Sequence, residues 1–210
     1  MKRPKAIAFL SLCLFFGACR AQSTLRLTRP PKVAGAFYPK SASQLRKMVD
    51  ALLSQAPCFK GIKPCALIVP HAGYVYSGLC AARAYAILKG SNFERVIVMG
   101  PTHYMPLRGV ALPWYKYFQT PLGKVPVEGS VVEKLKESPY FVVPKGGLGP
   151  EHSVEVQIPF LQRVLGEFKL LPLVVGFVED DQYGKIAEAL LPFVNEKTLL
   201  VASSDFTHFG

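Results

Sequence analysis

The sequence predicts an α/β protein with a mainly parallel central sheet and helices on both faces. Three observations carry that expectation. Four apolar runs (Cys65–Pro70, Arg95–Pro101, Lys169–Gly176 and Thr198–Ser204) lack the polar alternation of a half-exposed strand, so they suit strands buried on both faces. Segments whose apolar residues recur at helical spacing lie between them. The alternation itself is what a parallel sheet needs, because each crossover must return the chain to the same end of the sheet.

The length of 210 residues, with 50% hydrophobic and 19% charged residues, fits one folded unit with a sizeable core and excludes a disordered or fibrous chain. The chain opens on MKRPKAIAFLSLCLFFGACRAQS, where Lys2, Arg3 and Lys5 precede an apolar run from Ala6 to Ala18. A bilayer-spanning helix needs about 20 apolar residues, so the run reads as an export signal over residues 1–21. Gly17 and Ala18 before Cys19 resemble a bacterial lipoprotein cleavage box, although Phe16 stands where leucine is usual; cleavage after Ala21 and a retained anchor are the alternatives. The expected location is the bacterial envelope or periplasm, with a lipid anchor to the membrane through Cys19.

A polar linker is expected over residues 22–31, then one domain over 32–210. SASQLRKMVDALLSQ reads as a helix capped by Ser41 or Ser43, with Leu45, Met48, Val49 and Leu52 on one face. SGLCAARAYAILKG is a second helix, closed by Gly90. VEGSVVEKLKES is a third, and HSVEVQIPFLQRVLG a fourth, interrupted or bent near Pro159. DDQYGKIAEALLPFV is a fifth, started by Asp180 or Asp181.

The formal charge is +11, but Lys2, Arg3, Lys5 and Arg20 belong to the leader region; without them 21 basic residues face 14 acidic ones, a net of +7. The basic residues are scattered, with no run beside interleaved aromatics, so a solvated basic surface is expected and no nucleic-acid partner. Cys58 and Cys65 either close a disulfide loop or stay as buried thiols, and Cys80 reads as a core thiol. Neither spacing resembles a zinc knuckle.

The four histidines are the candidate site. His71 follows LIVP, His103 follows VIVMGPT, and His208 follows LLVASSDFT, each just past the carboxyl end of an expected buried strand. In a parallel sheet those ends share one edge, where ligands bind, so residues far apart in sequence should converge. Asp205, three residues before His208, is placed to orient an imidazole or move a proton. His152, in GPEHSVEVQIP, is expected to be a solvated residue of a capping arrangement with Glu155. Imidazoles with an anionic ligand make an open transition-metal site, and two histidines with one carboxylate favour ferrous iron. Asp205, His208 and Glu151 stay open as the third ligand.

These motifs, VAGAFYP, LIVPHAGYVYSG, VIVMGPTHY, EHSVEVQIPFLQ and SSDFTHFG in this order, resemble the MEMO family, also called AmmeMemoRadiSam system protein B. The resemblance implies the fold of the class III extradiol ring-cleaving dioxygenases and a metal-type pocket at the corresponding place. It matches His71 and His103 to two metal ligands and His208, with Asp205 beside it, to an acid/base pair. It puts a cysteine third ligand further along than Gly210, so the domain is expected to be incomplete at its carboxyl end. It also implies iron or copper as cofactor. Two functions follow as expectations: a metal-dependent oxidoreductase of dioxygenase type, and a non-enzymatic metal- or ligand-binding protein acting through protein partners. A third is a pocket for a small molecule or peptide formed by Tyr74, Tyr76 and Trp114. Family members co-occur with a radical-SAM partner, which an exported form would have to do without.

Overall fold

The structure, a computed structural model, describes residues 27–57, 61–145 and 147–207. The leader with Cys19, the residue Cys58 and the residue His208 lie outside the described residues. No described helix is long and apolar enough to cross a membrane.

The six-stranded sheet is assembled from β2 (Ala66–Val69), β3 (Arg95–Pro101), β4 (Val110–Ala111), β7 (Phe141–Val142), β8 (Lys169–Val175) and β9 (Thr198–Ser203), in the order β2-β9-β3-β8-β4-β7. The first four strands of that order are mutually parallel, while β4 runs antiparallel to β8. The sheet is therefore mainly parallel, as expected. Three further strands, β1 (Thr28–Arg29), β5 (Tyr117–Thr120) and β6 (Gly123–Pro126), form a separate small sheet in the order β1-β5-β6. Thr28 and Arg29 are buried in that sheet, so the folded domain begins inside the stretch read as a linker.

Alternate residues of the central strands feed two cores. On one face Val96 and Val98 of β3 and Val201 of β9 pack with helices α1 (Ala42–Ser54), α2 (Tyr74–Ala86) and α4 (Ile158–Val164). On the other face Ile97 of β3 and Leu171 and Leu173 of β8 meet α3 (Gly129–Leu135) and α5 (Tyr183–Leu190). Leu45 and Val49 on the inner stripe of α1 are fully buried, each burial contributing roughly 1.5–3 kcal/mol.

Three expectations are corrected and one is made specific. β2 is not buried on both faces: it lies at the end of the sheet, and Ile68 is 56% exposed. Of the interruption or bend expected near Pro159 the structure has the interruption: a 3-10 turn, Glu155–Gln157, gives way to α4 at Ile158, where a proline in the first turn lacks only an N–H that had no partner. The last helix is entered through a 3-10 turn, Asp180–Gln182, whose capping box joins Glu179 and Gln182 rather than using an aspartate. Cys80, and Cys65 with it, is exposed rather than a core thiol.

The register places the carboxyl ends of three strands at one level. Val69 of β2 pairs with Ser203 of β9, and Met99 of β3 pairs with Ala202. Whatever follows these strands must emerge side by side. Gly100 at the end of β3 has a specific reason: a Cβ there would lie 2.5 Å from Ser153 Oγ, so only glycine lets the 151–157 segment close over the sheet edge.

Candidate metal centre

The segments after β2 and β3 bring His71 and His103 to the same edge, with ring centroids 5.1 Å apart. His152 joins them, stacked on His103 at 4.5 Å and lying 5.9 Å from His71. It is buried, with Phe37 packed against it at 4.5 Å, and not the solvated cap residue expected from the sequence. The reason is that no helix starts at His152. Glu155 opens a single 3-10 turn, and its carboxylate is spent elsewhere.

Glu155, fully buried, accepts hydrogen bonds from Arg29 Nη1 (2.6 Å), Tyr38 Oη (2.6 Å), and the backbone N–H groups of Lys32 and Val33 (both 2.9 Å). Four donors from the 29–38 segment converge on one carboxylate. That tie brings the amino-terminal segment, with Phe37, against the histidine cluster.

Hydrogen-bond partners fix the tautomers of two imidazoles. Ser203 Oγ donates its one proton to the Ser153 carbonyl at 2.6 Å, which can only accept. It must therefore accept from its other neighbours, Gln157 Nε2 at 2.7 Å and His71 Nδ1 at 3.1 Å. Gln157 is itself oriented: its amide nitrogen donates to the Pro70 carbonyl at 2.9 Å, and its amide oxygen accepts from Tyr85 Oη at 2.9 Å. The proton of His71 thus sits on Nδ1, and Nε2 carries the lone pair. In the same way His103 Nδ1 faces Glu151 Oε1 at 3.0 Å, so a proton there leaves Nε2 as its ligand atom.

Asp205 anchors His71 from below, accepting from its backbone N–H at 2.6 Å, with its other oxygen 3.7 Å from His71 Nε2. Asp205 is therefore at the cluster, as the sequence predicts; its expected neighbour His208 lies outside the described residues. Tyr74, Tyr76 and Trp114 do not share a pocket. Tyr74 is buried with its hydroxyl on the Val156 carbonyl, Tyr76 is exposed, and Trp114 lines a cavity to which neither tyrosine contributes.

The electrostatics disfavour a charge on two of the rings. Burial lowers the pKa of His71, against the pull of Asp205, and His103 lowers it further. Burial, with His103 beside it, lowers that of His152 to about 4. Burial alone would raise Glu151, but the N–H groups of Ser153 and His103 and the His103 ring outweigh it and hold the carboxyl below its usual range.

His103, Glu151 and His152 offer ligand atoms within 4.8 Å of one another. Glu151, however, is already engaged. Its Oε1 accepts from His103 Nδ1 and from the N–H groups of His152 (2.7 Å) and Ser153 (2.8 Å), and its Oε2 accepts from the His103 N–H at 2.6 Å. It acts as an orienting anion, and the ring nitrogens are the better donors. His152 Nδ1 is buried without a hydrogen-bond partner among the described residues, an atom that an ion or a proton donor would satisfy. The donor set fits a borderline transition metal.

The sequence gives no direct signal for His152. The burial of every residue from Glu151 to Leu161 belongs to the fold and leaves no such mark in this mixed polar and apolar stretch.

A mainly parallel α/β protein with imidazoles and carboxylates gathered at the carboxyl edge of its sheet is the class that fold and site define. The chain belongs to the Memo-like protein family: the family model so described matches residues 29–210. Among relatives, a MEMO1 family protein of Aquifex aeolicus (strain VF5) is 41% identical over 189 residues, covering 86% of this chain and 67% of the relative. One of Nitrosopumilus maritimus (strain SCM1) is 34% identical, covering 87% and 70%. Protein MEMO1 of Danio rerio is 33% identical, covering 90% and 65%. The chain thus spans about two thirds of the length of these relatives.

Proposed function

We propose that the chain holds a transition metal, iron or copper, through the Nε2 atoms of His71 and His103 with His152 at hand, and serves as a metal-dependent oxidoreductase of dioxygenase type. The single observation that supports this most is the pair of fixed tautomers, which leaves a lone pair on Nε2 of His71 and of His103, whose rings lie 5.1 Å apart by centroid, with the unsatisfied His152 ring stacked on His103. When bound, such an ion supplies Lewis-acid and one-electron chemistry. The chain's own residues do the rest. Ser203 and Glu151 hold the ring protons on Nδ1, and Phe37 shields His152 from water. Asp205, with His208 as the expected partner, receives and returns a proton at the cluster.

A second reading, a binding protein that acts through a protein partner, is favoured by one observation. Both described carboxylates at the cluster, Glu151 and Asp205, already accept backbone N–H groups, so the donors left over are imidazole nitrogens. Anaerobic loading with ferrous or cuprous ion separates the readings. Stoichiometric binding that is lost in His71→Ala and His103→Ala, with oxygen uptake in the presence of small phenols that His208→Ala abolishes, supports the oxidoreductase. Binding without uptake supports the second reading, and failure to bind either ion overturns both. The envelope location belongs to this proposal as well: a reporter fused after Ala21 should be exported, and its retention inside the cell overturns that part.

A further inference from the structure

Trp114, the one tryptophan of the chain, stands 50% exposed beside a cavity of about 270 Å³ whose lining includes Glu151 of the metal centre but none of its histidines. From this cavity we infer a second binding site, one that takes a small aromatic carboxylate.

The cavity is built, not an accident of loose packing. Its inner wall is the sheet face at Val174 and Ala111, both buried, and its floor includes Val154. Tyr115 and Phe118 add aromatic wall, and Leu148 faces them from the 147–149 loop. Gly147 in that loop has φ +79, and a Cβ there would come 3.1 Å from Trp114 Nε1. Glycine at this position therefore lets the loop close onto the indole. The volume falls just under the lower end of known small-molecule sites, about 300–1,000 Å³, which suits a ligand of one or two rings.

The lining also states the ligand's polarity. Pro30, Pro113, Pro144 and Pro172 contribute backbone without N–H groups, so these walls offer few donors and favour an apolar body. Three charged side chains reach the cavity, and two are committed. Arg29 donates to Glu155 (2.6 Å) and to the Glu151 carbonyl (2.5 Å) and lies over the Phe118 ring at 4.4 Å; Glu151 receives the donors already described. Lys32 remains. Its backbone N–H is pinned to buried Glu155, while its exposed side chain makes no ion pair among the described residues. An ammonium on a side chain whose backbone is anchored beside an aromatic cavity selects an anionic head on a flat apolar body.

The site stands whether or not the metal proposal does, since it uses none of the histidines. The test takes the full chain with naphthoate and its neutral analogue naphthylmethanol as probes, read by ligand-observed saturation-transfer NMR and by calorimetry. Naphthoate should bind with one site per chain. Lys32→Ala should weaken naphthoate by about tenfold, the worth of one charge-assisted contact, and leave naphthylmethanol unchanged. Leu148→Trp should fill the cavity and weaken both probes by at least about tenfold, with an unchanged thermal midpoint showing that the fold is intact. Gly147→Ala is a second variant for the same wall. No binding of naphthoate to the intact chain overturns the site, as does binding insensitive to Leu148→Trp and Gly147→Ala. Equal weakening of acid and alcohol by Lys32→Ala overturns the carboxylate preference, and with it the inference.

Discussion

Ser203 shows how much one hydroxyl can decide. Its single proton goes to the Ser153 carbonyl, so it can only accept from His71 Nδ1, and the imidazole is left with one tautomer. Ser203→Ala removes that acceptor while keeping the strand. On the proposed function it lowers metal affinity by about 10- to 100-fold, measured by competitive titration with a chromogenic chelator, and Ser203→Thr restores most of it. His152 carries a pH effect of definite sign. Its pKa falls from 6.5 when unfolded to about 4 when folded, so the unfolded chain binds the extra proton and folding stability drops as pH falls from about 6.5 towards 4. The loss approaches about 3 kcal/mol, and His71, shifted in the same direction, adds to it. Urea unfolding of the metal-free chain across that range should show the decline, and His152→Gln should flatten it. A stability independent of pH there would refute the buried, neutral assignment.

At the level of elements, the 29–38 segment and the 151–157 segment hold each other. Glu155 is the fixed point, with Arg29, Tyr38 and two backbone N–H groups aimed at it. Glu155→Ala leaves the buried Arg29 guanidinium uncompensated and is expected to cost about 3–5 kcal/mol, read by chemical denaturation. Glu155→Gln keeps the shape and some of the bonds and should cost less. The close approach of Ser153 to β3 makes a separate prediction. Gly100→Ala puts a methyl 2.5 Å from Ser153 Oγ, which forces the 151–157 segment off the sheet edge and disturbs His103 and His152 together. Their ring NMR signals should shift in Gly100→Ala and stay in place in Gly129→Ala, where a Cβ meets nothing within 4 Å.

Over the whole molecule, the parallel register is what turns separate motifs into one place. A ligand that binds only the folded arrangement stabilises it by mass action. Ferrous iron added at about 100 times its dissociation constant should therefore raise stability by about 2.7 kcal/mol, seen as an upward shift of the thermal midpoint that His103→Ala removes. The central strands were legible because burial on both faces leaves a continuous apolar run, as in Arg95–Pro101 and Lys169–Val175. The small sheet of β1, β5 and β6 was not, since Thr28–Arg29 is two residues long and draws its stability from partners nearly ninety positions away, about the separation of Thr28 from Tyr117. By itself the sequence determined the alternation of strands and helices, the family, and the placing of His71, His103 and Asp205 at strand ends, all of which follow from local patterning and backbone direction. Only the tertiary structure decided that His152 joins the cluster, that Glu155 ties the amino-terminal segment rather than capping a helix, and which nitrogen of His71 keeps its proton. Those depend on which donors and acceptors meet across the fold, and hydrogen-bond partners more than a hundred residues apart leave no period in the chain.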